Sequence, residues 1–186
     1  MTWVGLDLSL TSTGMAVVDD AGAVTVRRIR SAGKKTDRLP ENVDRLRALA
    51  FTVVQAVREV DPAAVVVESA LFSTHHDSSA HRRAGLWWLV VVSLYSDGYP
   101  IVEVAPSQVK KFATGKGNAP KTRMVTRASA VWGEETFADG NDDVADAAFL
   151  AAMAAYNEGV RPVSEATYRD AIVKVVFDKV AEAETH

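Results

Sequence analysis

Cysteine is absent from all 186 residues, which excludes disulfides, thiolate zinc sites and a cysteine nucleophile, and suits a reducing compartment. No stretch approaches the roughly 20 apolar residues of a membrane span, and the start, Met1 to Asp7, lacks a basic region followed by an apolar run. The expectation is a soluble, cytoplasmic protein without a membrane segment. An excess of positive charge is missing too. Lys and Arg number 21 against 24 Asp and Glu, for a formal net charge of −3, so the chain does not coat nucleic acid through bulk charge. Internal repeats and low-complexity segments are also absent.

The hydrophobic share of 48% and charged share of 24% suffice for one substantial core. Apolar runs at Trp3 to Ser9, Met15 to Val18 and Val24 to Ile29, with the turn residues Asp19-Asp20-Ala21-Gly22 before the last, predict three antiparallel strands. From Asp37 to Val60 apolar residues recur at three and four, which predicts a long amphipathic helix stopped by Asp61-Pro62. Short runs at Ala63 to Val67 and Ile101 to Val104 read as buried strands. The segment Ala80 to Ser96 is apolar over most of its circumference from Leu86 to Leu94 and reads as a buried helix.

Further helices are expected after Pro106, from about Pro120 to Val131, and from Asp142 to Tyr156, the last dense in alanine and able to pack closely on a sheet. Beyond Pro162, the residues Tyr168, Ile172, Val175, Val176 and Val180 form one stripe of a terminal amphipathic helix. The sum is an α/β fold, with a mixed five-stranded sheet covered by helices on both faces. Residues 1–160 form the main domain and 161–186 a helical extension. Between Glu103 and Glu134 no acid occurs, while Lys110, Lys111, Lys116, Lys121, Arg123 and Arg127 all fall there, so an acidic protein can be locally positive.

Four carboxylates stand out. Asp7 interrupts an apolar strand, between Leu6 and Leu8, and Glu68 ends another. An acid in a buried strand is costly unless something neutralises it, and a shared divalent cation does so; pairing with arginine is the ordinary alternative for each alone. Asp143 and Asp146, three apart on a predicted helix, project from one face. The first-turn position explains Asp142 and Asp143 through the helix dipole, but explains Asp146 less well. Mg²⁺ and Mn²⁺ take oxygen ligands, and two such ions flanking a phosphate can drive an in-line displacement, so phosphodiester hydrolysis is the predicted chemistry.

The order of motifs is itself informative. Gly5-Leu6-Asp7-Leu8-Ser9-Leu10-Thr11-Ser12-Thr13-Gly14, then Val66-Val67-Glu68, then Pro106-Ser107-Gln108-Val109-Lys110 with Gly115 to Lys121, then Asp143-Val144-Ala145-Asp146-Ala147 resemble the RuvC-type Holliday junction resolvases, from Trp3 to about Tyr156. The resemblance implies a ribonuclease H-like fold and a metal-dependent endodeoxyribonuclease. In it Asp7, Glu68, Asp143 and Asp146 match the metal-binding and catalytic acids, with two Mg²⁺ or Mn²⁺ ions expected per site. Lys110 and Lys121 match lysines that engage DNA beside the cleaved phosphate, Lys121 counting among the catalytic set. It further implies a homodimer acting on four-way or related branched DNA. A helicase or branch-migration partner is left unassigned. An aromatic that inserts at the junction in this family has its counterpart one position late, with Leu71 at the family's position and Phe72 after it.

Other residues carry weaker signals. Arg82 and Arg83 are candidates for phosphate contacts, as is Lys116, whereas His75, His76 and His81 read as surface-loop histidines and Trp87 and Trp88 as core or dimer interface. Gly5-x-Asp7 with a later Gly14 also resembles the phosphate hairpin of sugar kinases and actin-like ATPases, but the second domain and the adenosine loop of those proteins have no counterpart here. A relative with the same fold and another branched DNA or RNA target is the remaining alternative.

Overall fold

The computed structural model describes residues 1–34, 36–70, 79–138 and 142–183. Strands β1 (Thr2–Asp7), β2 (Ser12–Asp19) and β3 (Val24–Arg30) form an antiparallel meander, and β4 (Ala64–Glu68) and β5 (Ile101–Val104) add in parallel, giving the order β3-β2-β1-β4-β5. The predicted mixed sheet is therefore present. Its first strand is shorter than its apolar pattern: Leu8 and Ser9 leave it, and Ser9 N–H donates to Thr13 Oγ1 at 3.1 Å while that hydroxyl donates back to the Ser9 carbonyl at 2.9 Å.

Helices α1 (Leu39–Val60) and α2 (Ala80–Ser96) cover one face. They bury Leu49, Val53, Val57, Leu86 and Val90 on Val4, Leu6, Val65 and Val67. The expectation for α2 needs correction. Leu86, Trp87, Val90 and Leu94 are buried, but Trp88, Leu89 and Val92 are exposed, because none of the described residues packs on the outer side of this helix.

The other face carries α3 (Pro106–Thr114), α4 (Lys121–Trp132), α5 (Asp142–Asn157) and α6 (Thr167–Ala183). Here α5 lies directly on the sheet and every residue from Val144 to Tyr156 is buried. Alanine and glycine make this possible. A Cβ on Gly5 would stand 2.0 Å from the Ala147 carbonyl oxygen and 2.5 Å from the Ala151 nitrogen, so the strand and helix backbones meet where neither carries bulk.

In α6 the buried positions are Arg169, Ile172, Val173 and Val176, while Val175 is exposed. The inward stripe thus follows i, i+3, i+4, i+7 with an arginine at its head, which an apolar pattern does not register. Arg169 donates to the carbonyls of Phe112 (2.9 Å) and Ala113 (3.4 Å) at the end of α3 and to Ser164 Oγ (3.2 Å), so α6 is tied to the last carbonyls of α3.

Candidate active site

Strand parity decides where the first two acids point. In β1, Val4 and Leu6 face α1 and α2, so Trp3, Gly5 and Asp7 face α5. In β4, Val65 and Val67 face α1 and α2 whereas Val66, and with it Glu68, faces α5. The two strands are parallel neighbours with Leu6 opposite Val67, so Asp7 and Glu68 emerge side by side at the sheet's C-terminal edge. Gly14, opposite Asp7 in the β1–β2 ladder, brings in the remaining pair. A Cβ there would lie 2.1 Å from the Asp143 carbonyl oxygen, so the missing side chain is what seats the first turn of α5 beside Asp7.

The result is a cleft of about 350 Å³ lined by Asp7, Glu68, Asp143 and Asp146, with Lys110 and Lys121 among its other walls. Burial, and then the charges of Glu68, Asp146 and Asp143, hold the Asp7 carboxyl well above its usual range, with Lys121 in partial opposition. Burial, with the charge of Asp146, pushes Glu68 up to about 7 against the pull of Lys110 and Lys121. Asp146 is raised to about 6, chiefly by burial, and its Oδ1 is buried without a hydrogen-bond partner. Crowded, desolvated carboxylates of this kind are stable as anions only when a cation joins them.

Asp142 and Asp143 separate cleanly in space. Burial raises the Asp142 carboxyl, but the hydrogen bond and charge of its ion-pair partner Lys121, with backbone N–H groups of Asp142 and Asp143, together lower it below the usual value; Asp142 does not line the cleft, and Asp143 does. Lys121 is raised in turn, first by the hydrogen bond to Asp142. Lys110 stands on α3 and Lys121 at the start of α4, on opposite sides of the exposed 115–118 connection where Lys116 sits outside the cleft lining.

Arg83 lines the cleft from α2, whereas Arg82 lines a neighbouring groove. Phe72, Leu71, His75 and His76 lie outside the described residues, and His81 is exposed. Trp87 contributes more than core. It lines the cleft, and its Nε1–H donates to the Glu68 carbonyl at 2.9 Å, fixing the end of β4. Ser9 and Ser69 also line the cleft; Ser9 stands in the first motif without a role of its own and Ser69 is unmarked in the sequence, since an isolated serine near an acid carries no periodic signal.

Among the described residues, no three His, Cys, Asp or Glu side chains stand at a spacing that would enclose one ion. The acids nevertheless fit hard divalent cations. Mg²⁺ keeps several waters and needs only one or two carboxylates from protein, and the orphaned Asp146 Oδ1 together with three further carboxylates supplies oxygen donors of the right hardness.

The family model for "Crossover junction endodeoxyribonuclease RuvC" matches residues 3–153, a span that contains all four acids and both cleft lysines. The chain belongs to the RuvC family. A RuvC protein of Neorickettsia sennetsu is 32% identical over 152 residues, covering 80% of this chain and 89% of the relative, and one of a Parafrankia species is 32% identical over 130 residues, covering 68% and 72%. The structure of Thermus thermophilus RuvC in complex with Holliday junction substrate superposes with a TM-score of 0.67 at 19% identity, over 97% of this chain and 96% of that one. The fold is thus that of RuvC, a ribonuclease H-like fold, over nearly the whole chain. RuvC membership also removes the kinase-like alternative, whose resemblance was confined to the β1–β2 hairpin.

Proposed function

We propose that the chain is a divalent-metal-dependent endonuclease that resolves four-way DNA junctions by hydrolysing phosphodiester bonds. The observation that carries this reading is the meeting of Asp7, Glu68, Asp143 and Asp146 in one cleft, with an unpartnered buried oxygen on Asp146, beside Lys110 and Lys121. Those four acids would hold Mg²⁺ or Mn²⁺, two ions per site being the number that four carboxylates suit when each ion takes one or two. Bound there, the metal supplies Lewis-acid polarisation of the phosphate and an activated water.

The chain's own groups do the rest. Lys110 and Lys121 draw in the scissile phosphate and offset charge that develops on its oxygens, Lys121 under the orienting hold of Asp142. Trp87 keeps Glu68 in place through its carbonyl, and Arg83 adds a guanidinium at the cleft's far wall. Arg82, Lys116 and Phe72 would touch DNA beyond the cut. Residues 1–160 would carry the chemistry, with 161–186 as a helical extension that buttresses α3.

A homodimer follows from the same reading. The outer sides of α1 and α2 expose Phe51, Trp88, Leu89, Val92 and Tyr95 together, an apolar patch that a second copy would cover, and a two-fold protein suits a two-fold junction. Among the described residues no helix is long and apolar enough to cross a membrane; with cellular DNA as substrate, the protein would act in the cytoplasm.

The test is incubation of wild type and Asp7→Asn with synthetic four-way, forked, flapped and linear DNA, with and without Mg²⁺ or Mn²⁺. Paired, metal-dependent cuts near the branch of the four-way junction, lost in Asp7→Asn, are expected. Equal cutting by the variant would sink the site. Preference for forks or flaps would retain the chemistry and replace the substrate.

A further inference from the structure

We propose that the groove beside the catalytic cleft, formed by the β1–β2 loop, the entry to α1 and the first turn of α2, is a phosphate-binding track for the nucleic-acid backbone leaving the cleft. The proposal rests on the nuclease reading above and extends it to a second contact surface. The groove encloses about 370 Å³ and is continuous with the cleft, since Ser9 and Arg83 line both.

On a protein of net charge −3, the described residues that line the groove include Lys34, Arg45 and Arg82 against a single acid, Asp37, whose Oδ2 already accepts the Lys34 backbone N–H at 2.7 Å. Among the described residues no carboxylate pairs with the side chains of Lys34, Arg45 or Arg82. Arg45 is instead held by neutral oxygens, Ser31 Oγ at 2.9 Å and the carbonyls of Leu10 and Ser31. Such contacts fix a guanidinium without neutralising it.

The backbone makes way for this arginine. A Cβ on Gly33 would stand 1.9 Å from Arg45 Nη1, so glycine is what lets the guanidinium lie along the groove. Crowding like charges in this way is unfavourable in isolation and becomes favourable when anions bridge them, and arginine suits phosphate oxygens in particular.

Position identifies the anion. The acids of the cleft stand between two basic walls, Lys110 and Lys121 on one side and this groove on the other. A lone phosphate ion would satisfy one wall only. A polymer with a phosphate at every step satisfies both, and it would cross the acids in doing so. The track therefore reads no bases; it fixes the direction in which a strand runs across the metal site.

The experiment measures binding of the full-length chain to a fluorescent four-way junction in EDTA, across a range of salt concentrations. Variants are Lys34→Ala, Arg82→Ala, the double variant, and Lys174→Ala on the exposed side of α6 as a charge-matched control. The affinity should fall in each groove variant, and the slope of log affinity against log salt should shrink by roughly 0.9 per lost phosphate contact, nearly doubled in the double variant. Lys34→Arg and Arg82→Lys should retain the wild-type slope. A double variant with wild-type slope and affinity, while wild type binds and cuts junctions, overturns the track and leaves the nuclease reading intact. An equal reduction in Lys174→Ala also overturns it, by making the effect one of net charge. Wild type that neither binds nor cuts branched DNA overturns the nuclease reading itself.

Discussion

The two faces of the sheet are packed by opposite means. On the face of α1 and α2, contact is made by long aliphatic side chains such as Leu49, Val53, Leu86 and Val90, which hold the helices off the strands. On the α5 face, glycines of the sheet admit the helix backbone itself, and α3, α4 and α6 close over it. Bulk gives stability with some tolerance for change. Close backbone contact gives position, and it is this face whose end carries the acids. The lesson is that the site's precision resides in residues with little or no side chain, two strand glycines and a run of alanines.

The largest effect should come from the acids. Asp7→Asn or Asp146→Asn should lower metal-dependent cleavage by about 10²-fold or more, in line with the loss of one electrostatic stabiliser, while raising the melting temperature of the metal-free protein by removing a crowded charge. A lower melting temperature in both would contradict the crowding seen in the cleft.

Next comes the close contact. Gly5→Ala should destabilise by about 3 kcal/mol, because the intruding methyl meets helix backbone rather than a movable side chain. Val65→Ala on the opposite face removes a buried side chain without a clash and should cost about 1–3 kcal/mol and spare cleavage of the folded fraction. Denaturant unfolding and single-turnover rates would separate the two. If Gly5→Ala cut as well per folded molecule as Val65→Ala, the positional role of the α5 face would be lost.

The second layer over α5 offers a further comparison. Arg169→Met should cost about 2 kcal/mol by leaving the Phe112 and Ala113 carbonyls without their donor, and α6 should then exchange amide hydrogens faster than α1.

Acid–base behaviour should differ between the faces as well. Asp7, Glu68 and Asp146 have carboxyls raised above their unfolded values, so from about pH 4 to about 7 the folded metal-free protein holds more protons than the unfolded one. Its stability should be greatest at the acid end of that window, fall as pH rises through it and level off above, and added Mg²⁺ should raise the melting temperature more at pH 8 than at pH 5. Melting curves that rise with pH across this window without metal would contradict the shifts.

The smallest effect on stability should come from the exposed side of α2. Trp88→Ser with Val92→Ser should change monomer stability by under about 0.5 kcal/mol per site yet shift sedimentation from dimer to monomer; a dimer that persists would move the interface elsewhere.

The sequence by itself determined the element order, the face to which Asp7 points and the grouping of acids with lysines, because period-2 and period-3.6 patterns and motif order are local properties of a chain. It left Asp142 and Asp143 with the same first-turn explanation, read α2 as a buried helix and placed Val175 rather than Arg169 on the apolar stripe of α6. Those matters depend on which neighbour arrives: Lys121 pairs with Asp142, none of the described residues covers Trp88, and the end of α3 offers carbonyls to Arg169. Tertiary structure alone also supplied the reason for Gly5 and Gly14, since the need for a missing side chain becomes visible only when another backbone occupies its place.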